Sequence, residues 1–213
     1  EKSGLSPFLK SKQNEFVKFN NMYSIGTKTR IFVSGFMTSK HSPVTRHGAN
    51  FNYYTEEDKN TFYHLNDKNQ FSSFPKALKK NGYLTLQVGN CGFAHPVLFP
   101  GFDYGFDENF EYQQMPYDTT GNAYHLLRIL KEVHNKPFYI YTHFNTTHFP
   151  RTAPFHYFIK GVMKYIEMFW RPNILGSFVY ADDVFRYVYT YLERNKLLEK
   201  TILIVSADHG TSY

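Results

Sequence analysis

An aspartate and a histidine stand side by side at Asp208-His209, within Ser206-Ala207-Asp208-His209-Gly210 and directly after the apolar run Thr201-Ile202-Leu203-Ile204-Val205. A carboxylate and an imidazole at the end of a strand can both reach one hard or borderline cation, and Gly210 would let the backbone turn away sharply. As a bare dipeptide the pair is common, so its meaning lies in its surroundings. Two other places carry groups of the same kind: Gly89-Asn90, and the stretch from His143 to His148. Asn145-Thr146-Thr147 matches a glycosylation sequon, which we read as a chance match because it falls inside that stretch.

These places share one position in the pattern of elements. Ser6-Pro7 reads as a cap with proline at the first helical position, opening an amphipathic helix to about Phe19. Thr29 to Thr38 carries Ile31, Phe32, Phe36 and Met37 at the spacing of a short buried helix, and His41 to Thr61 reads as a long surface loop. Ser72 to Lys80 is a helix stopped by Asn81-Gly82, and Tyr83 to Val88 a buried strand. Gly89 to Glu111 is loop-rich, with Pro96, Pro100, Gly101 and Gly105. A second long helix spans Thr119 to Val133, capped by Asp118 or Thr119, and Phe138 to Thr142 is a run of β-formers. A loop with Pro150 and Pro154 leads to a helix over Tyr180 to Leu192, with Val184, Val188 and Tyr191 on one face, and Thr201 to Val205 then reads as a fully buried strand.

Helices alternating with apolar strands predict an α/β fold with a mostly parallel central sheet and helices on both faces. The expected neighbours in that sheet are Tyr83–Val88, Phe138–Thr142 and Thr201–Val205. In such sheets working residues sit beyond the carboxyl ends of strands, which is where Asn90, His143, Asp208 and His209 fall.

The bulk numbers bound the function. A chain of 213 residues, 42% hydrophobic and 20% charged, can bury a core and is no disordered tail. The 18 Tyr and 22 Phe are also what an AT-rich genome writes, so the aromatic excess names no surface. A net charge of +6 permits an anionic substrate, but the excess is spread along the chain. No RNA- or DNA-binding motif accompanies it, so a nucleic-acid partner is not expected. The single cysteine, Cys91, allows no internal disulfide. No apolar stretch approaches the ~20 residues of a spanning helix, and Glu1 to Lys12 is too polar for a signal peptide.

Four stretches in order carry a resemblance to a known family. They are Ser6-Pro7-Phe8-Leu9 through Ser24; Phe74 to Thr85 followed by Gly101-Phe102-Asp103-Tyr104-Gly105-Phe106-Asp107; Pro137 to Pro150; and Tyr180 through Gly210. Together they resemble the sulfatase-like family of the alkaline phosphatase superfamily, over nearly the whole chain. The resemblance implies an alkaline phosphatase-like fold and an Asp208-His209 metal pair for one divalent cation (Mn, Ca, Mg or Zn). It also implies a nucleophile nine positions before the Thr38 that stands in the family's Thr-Gly, namely Thr29, itself in contact with the metal. A hydroxyl at a helix start is favoured as its alkoxide by the helix dipole and by a cation, although threonine also serves there as a plain cap. His148 lies where a family histidine contacts the transferred group or protonates the leaving oxygen. Asn90, replacing a family lysine, and His143 are expected to bind substrate.

The chain departs from true sulfatases in one respect that bears on chemistry. It reads Thr29-Arg30-Ile31-Phe32-Val33, without the Cys/Ser-x-Pro-x-Arg that is oxidised to formylglycine. Threonine nucleophiles occur in the superfamily among phosphoglycerol and phosphoethanolamine transferases. The leading expectation is therefore a metal-dependent hydrolase or transferase of phosphate esters or diesters on a glycan, lipid or small molecule. Sulfatase-type hydrolysis, and a non-catalytic binding or structural member of the fold, are the alternatives. The resemblance also implies one sulfatase-like domain over 1–213, truncated at both ends: the strand with the first acidic metal ligand would precede Glu1, and a further ligand would lie beyond Tyr213. An extracytoplasmic or membrane-anchored setting, through segments outside this chain, is expected on the same ground.

Overall fold

The computed structural model describes residues 4, 6–41, 72–89, 104–110, 119–148, 151, 153–164 and 172–210. Its sheet is built on β1 (Leu84–Gly89), which lies between β2 (Glu108–Phe110) and β3 (Phe138–His143), both parallel to it. The expected neighbours Tyr83–Val88 and Phe138–Thr142 thus pair in register, Leu84 against Phe138 through Gly89 against His143. β2 falls in the stretch expected to be loop. It is held to β1 by Asp107, whose carboxylate accepts from both the backbone N–H (2.9 Å) and the hydroxyl (2.8 Å) of Thr85.

The period-2 alternation of β1 and β3 decides what covers each face. Leu84, Leu86 and Val88, with Phe138 and Ile140, face a cluster formed by Leu126, Ile129 and Leu130 of one helix and Val188 and Leu192 of another. These helices are α4 (Thr119–Val133) and α6 (Pro172–Arg194). Tyr139 and Tyr141 face the other way, toward Phe32, Val33, Phe36 and Met37 of α2 (Thr29–Thr38). Helices therefore lie on both faces, as the alternating pattern predicts.

The remaining helices are α1 (Pro7–Ser11), α3 (Phe74–Lys80) and α5 (Phe155–Lys164). α1 stops well short of Phe19, giving way to turns over 12–15. α3 begins where Ser73 Oγ accepts the Lys76 N–H and ends with Asn81 and a left-handed Gly82. α5 was not expected from sequence, and α6 starts eight residues before Tyr180 (180 − 172). α5 packs on α6 at Gly176, where a Cβ would stand 3.0 Å from the Phe158 Cα. Among the described residues no helix is long and apolar enough to cross a membrane.

One expectation fails. Thr201–Val205 pairs with no strand among the described residues, and it is not fully buried. Leu203 alone packs on the core, while Ile202, Ile204 and Val205 are 91%, 71% and 50% exposed. An apolar run predicts a strand covered on both faces only if a neighbouring strand supplies the ladder. Among the described residues no strand supplies that ladder.

Candidate active site

Two segments far apart in sequence meet at the sheet's carboxyl end. α2 begins at Thr29, with extended Lys28 as its cap residue and no side-chain capping bond. Thr29 therefore does not act as a cap. Its hydroxyl turns outward and donates to Asp208 Oδ2 at 2.7 Å. The first turn of α2 holds no acidic side chain of its own, so the partial positive charge of the helix start faces the Asp208 carboxylate.

His209 completes the group. Its Nε2 lies 3.2 Å from Thr29 Oγ1 and 3.3 Å from Asp208 Oδ2. Its Nδ1 lies 2.6 Å from the Gly210 carbonyl, which can only accept, so Nδ1 carries a proton. The other oxygen of Asp208 accepts the His209 backbone N–H at 2.9 Å. Asp208 is further tied to the approach to α2, because Ser24 Oγ lies 2.6 Å from the Asp208 carbonyl. Gly210 takes no left-handed conformation and has open space around it, so the sharp turn expected of it is not what this site uses.

A count of protons tests whether these residues suit a cation. The Thr29 proton is already given to Asp208, and the His209 Nδ1 proton to Gly210. With the Nδ1 proton committed, a bare His209 Nε2 turns its lone pair toward two oxygen atoms, a crowding of electron pairs that a second ring proton or a metal cation would relieve. A ring nitrogen fixed by a backbone carbonyl on its far side is the usual form of a metal-binding histidine. One imidazole nitrogen and two oxygens fit zinc or a harder divalent ion. Among the described residues no group of three or more His, Cys, Asp or Glu side chains is placed to hold a metal; this site offers two such side chains and the Thr29 oxygen.

His143 and His148 border the same site. Burial depresses the pKa of His143; the Asp208 charge works against that shift, while His148 and His209 add to it. The β1 end is flush against β3 here: Gly89 has φ +121°, and a Cβ on it would stand 2.9 Å from the His143 carbonyl oxygen. His148 sits exposed in the turn that follows, its N–H donating to the Asn145 carbonyl at 3.0 Å. Asn90 lies outside the described residues.

Sequence reasoning passed over Tyr141 and Ser24, both in contact with site residues. Tyr141 was legible only as a β-former, and Ser24 only as the end of a family-like stretch. Neither carries a motif that marks a support for another side chain.

Comparison with known proteins bears on the fold and the family. No curated protein sequence matches the chain. Among solved structures, the lipoteichoic acid synthase LtaP from Listeria monocytogenes matches with a TM-score of 0.68 at 19% identity. The match covers 91% of this chain and 47% of that one, so this chain spans about half the length of the synthase. At that identity the likeness carries the α/β fold with its central parallel sheet. The sulfatase family model matches residues 2–213, and the chain belongs to the sulfatase family.

Proposed function

We propose that this chain carries the reaction centre of a metal-dependent phosphotransferase or phosphodiesterase that uses Thr29 as its nucleophile. The observation that supports this most is the Thr29 hydroxyl at the start of α2, hydrogen-bonded to Asp208 and beside His209. Its substrate would be an anionic phosphate ester on a glycan, lipid or small molecule, in keeping with the fold shared with a lipoteichoic acid synthase.

Asp208, His209 and Thr29 would hold the divalent cation, which when bound lowers the pKa of a hydroxyl and neutralises an anionic group. Thr29 Oγ1 attacks phosphorus as its proton leaves along the hydrogen bond to Asp208. The phosphorus–oxygen ester bond breaks, its electron pair stays on the leaving oxygen, and His148 protonates that oxygen. Water or an acceptor hydroxyl then attacks the phosphothreonine and gives its proton to His148, now a free base; the phosphorus–Oγ1 bond breaks, and the Thr29 oxygen takes back the proton held by Asp208. Threonine cannot become formylglycine, so no such maturation is required.

The test compares the protein with Thr29→Ala and His148→Ala on p-nitrophenyl phosphate, bis-p-nitrophenyl phosphate and p-nitrophenyl sulfate, with and without chelator. Phosphate or diester turnover should disappear with Thr29→Ala and with chelator, and fall by roughly 100-fold or more with His148→Ala. Turnover of sulfate alone, or turnover that survives Thr29→Ala, would overturn the mechanism. No turnover, in a protein that binds no divalent ion, would favour a non-catalytic member of the family.

A further inference from the structure

His143 closes β3, and its ring is held from a neighbouring side chain. Tyr141, two residues earlier on the same face, places its hydroxyl 3.2 Å from His143 Nδ1. Tyr141 is itself packed by Phe36 of α2, with ring centroids 6.2 Å apart. The helix that begins with Thr29 therefore also packs the tyrosine that holds His143. The close approach of Gly89 to the His143 carbonyl brings the two strand ends together.

We propose that Tyr141 is a positioning residue that sets the tautomer of His143, so that His143 offers an Nε2–H donor to an anionic oxygen bound over Thr29, Asp208 and His209. The proposal rests on the reading of this site as one for phosphate esters. A neutral imidazole donates from one nitrogen and accepts at the other. If Tyr141 donates to Nδ1, the proton lies on Nε2 and the ring offers a donor to an anionic oxygen. The opposite tautomer would leave the Nε2 lone pair to face an anion, with the Asp208 carboxylate also within range. Burial lowers the His143 pKa and so favours the neutral ring, which would bind an anionic oxygen as a donor without carrying charge.

The experiment needs no turnover for its first readout. Long-range nitrogen–proton NMR spectra of ring-labelled protein report which nitrogen of His143 is protonated, with His143→Gln supplying the assignment. The expected result is an Nε2–H tautomer in the native protein, a mixture of tautomers in Tyr141→Phe, and a shift of the His143 Nε2 signal on titration with inorganic phosphate. With p-nitrophenyl phosphate, Tyr141→Phe should raise KM severalfold with a smaller change in kcat. The loss should vanish in the His143→Gln background, whose amide donates from nearly the same place without needing Tyr141. His143→Ala should lose roughly tenfold or more in kcat/KM, and His143→Gln clearly less.

A proton on Nδ1 in the native protein, a tautomer indifferent to Tyr141→Phe, or a His143 signal unmoved by phosphate would each overturn the proposal. A phosphate-dependent shift with no turnover would support it while rejecting the catalytic reading on which it builds.

Discussion

Asp208 holds two relations at once: one oxygen accepts the Thr29 hydroxyl, and the other accepts the backbone N–H of His209. That division fixes the carboxylate plane and leaves Oδ2 facing the hydroxyl and the imidazole. Asp208→Asn keeps the shape and removes the charge, so it separates cation binding from packing. Thermal unfolding with and without Mn2+ or Zn2+ should show a metal-dependent rise in Tm for the native protein, since a ligand bound only to the folded state stabilises it. Asp208→Asn should lose most of that rise while keeping its metal-free Tm within a few degrees. An equal rise in both proteins would place the ion elsewhere. The Asp-His pair was legible because it directly follows an apolar run; the partner hydroxyl was not, because Thr29 lies 179 residues away. Only the family pattern pointed to it. The alternative of a simple cap fails on geometry, because Lys28 occupies the cap position.

Among the described elements, β2 is held to β1 in part by charge. Burial alone would raise the Asp107 pKa, but the Lys79 ammonium and the hydrogen bonds from Thr85 outweigh it, so the carboxyl lies below its ordinary value. A carboxylate depressed in the folded state contributes stability that is fully present above its unfolded pKa, ~3.9, and is lost as pH falls through the lower folded value. Asp107→Asn should therefore destabilise at neutral pH and flatten the acid limb of the stability curve, as read by urea titrations at several pH values. An unchanged acid limb would mean that the contact is screened, as an ion pair with a half-exposed lysine can be. The α5–α6 contact rests instead on shape. In Gly176→Ala the new Cβ would lie 2.5 Å from Phe158 Cδ1 and 3.0 Å from its backbone nitrogen and Cα. The ring can rotate but the backbone cannot, so the helices must separate, at a cost of about 1–3 kcal/mol. The urea midpoint should fall with an unchanged slope, and Gly210→Ala, in open space, should leave it in place. The sequence could not announce this contact, because a glycine inside a helical run carries no record of the partner that crowds it.

At the scale of the sheet, the strands were legible where two of them pair with each other and not where the described residues supply no partner. β1 and β3 were found from their apolar and β-branched runs because each covers the other's ladder and helices cover both faces. β2 is only three residues long and held by Asp107, below the length at which alternation can be read. Thr201–Val205 has a stronger apolar run than either, yet its residues divide sharply: Leu203 packs with the cluster of Leu126, Leu130 and Val188, and Ile202 and Ile204 point to solvent. Two measurements follow from that division. Backbone amides of Ile202 and Ile204 should exchange with solvent orders of magnitude faster than those of Leu86 and Val88, whose bonds lie inside the sheet. Ile204→Lys should change stability by no more than about 0.5 kcal/mol, as surface substitutions do. Leu203→Ala should cost more, because it removes a side chain that touches the core. Slow exchange at Ile202 and Ile204, with a large cost for Ile204→Lys, would show that a strand partner covers this stretch in solution. That result would also place Asp208 and His209 at the end of a paired strand rather than a free one, giving the site a stiffer support than the described contacts alone provide.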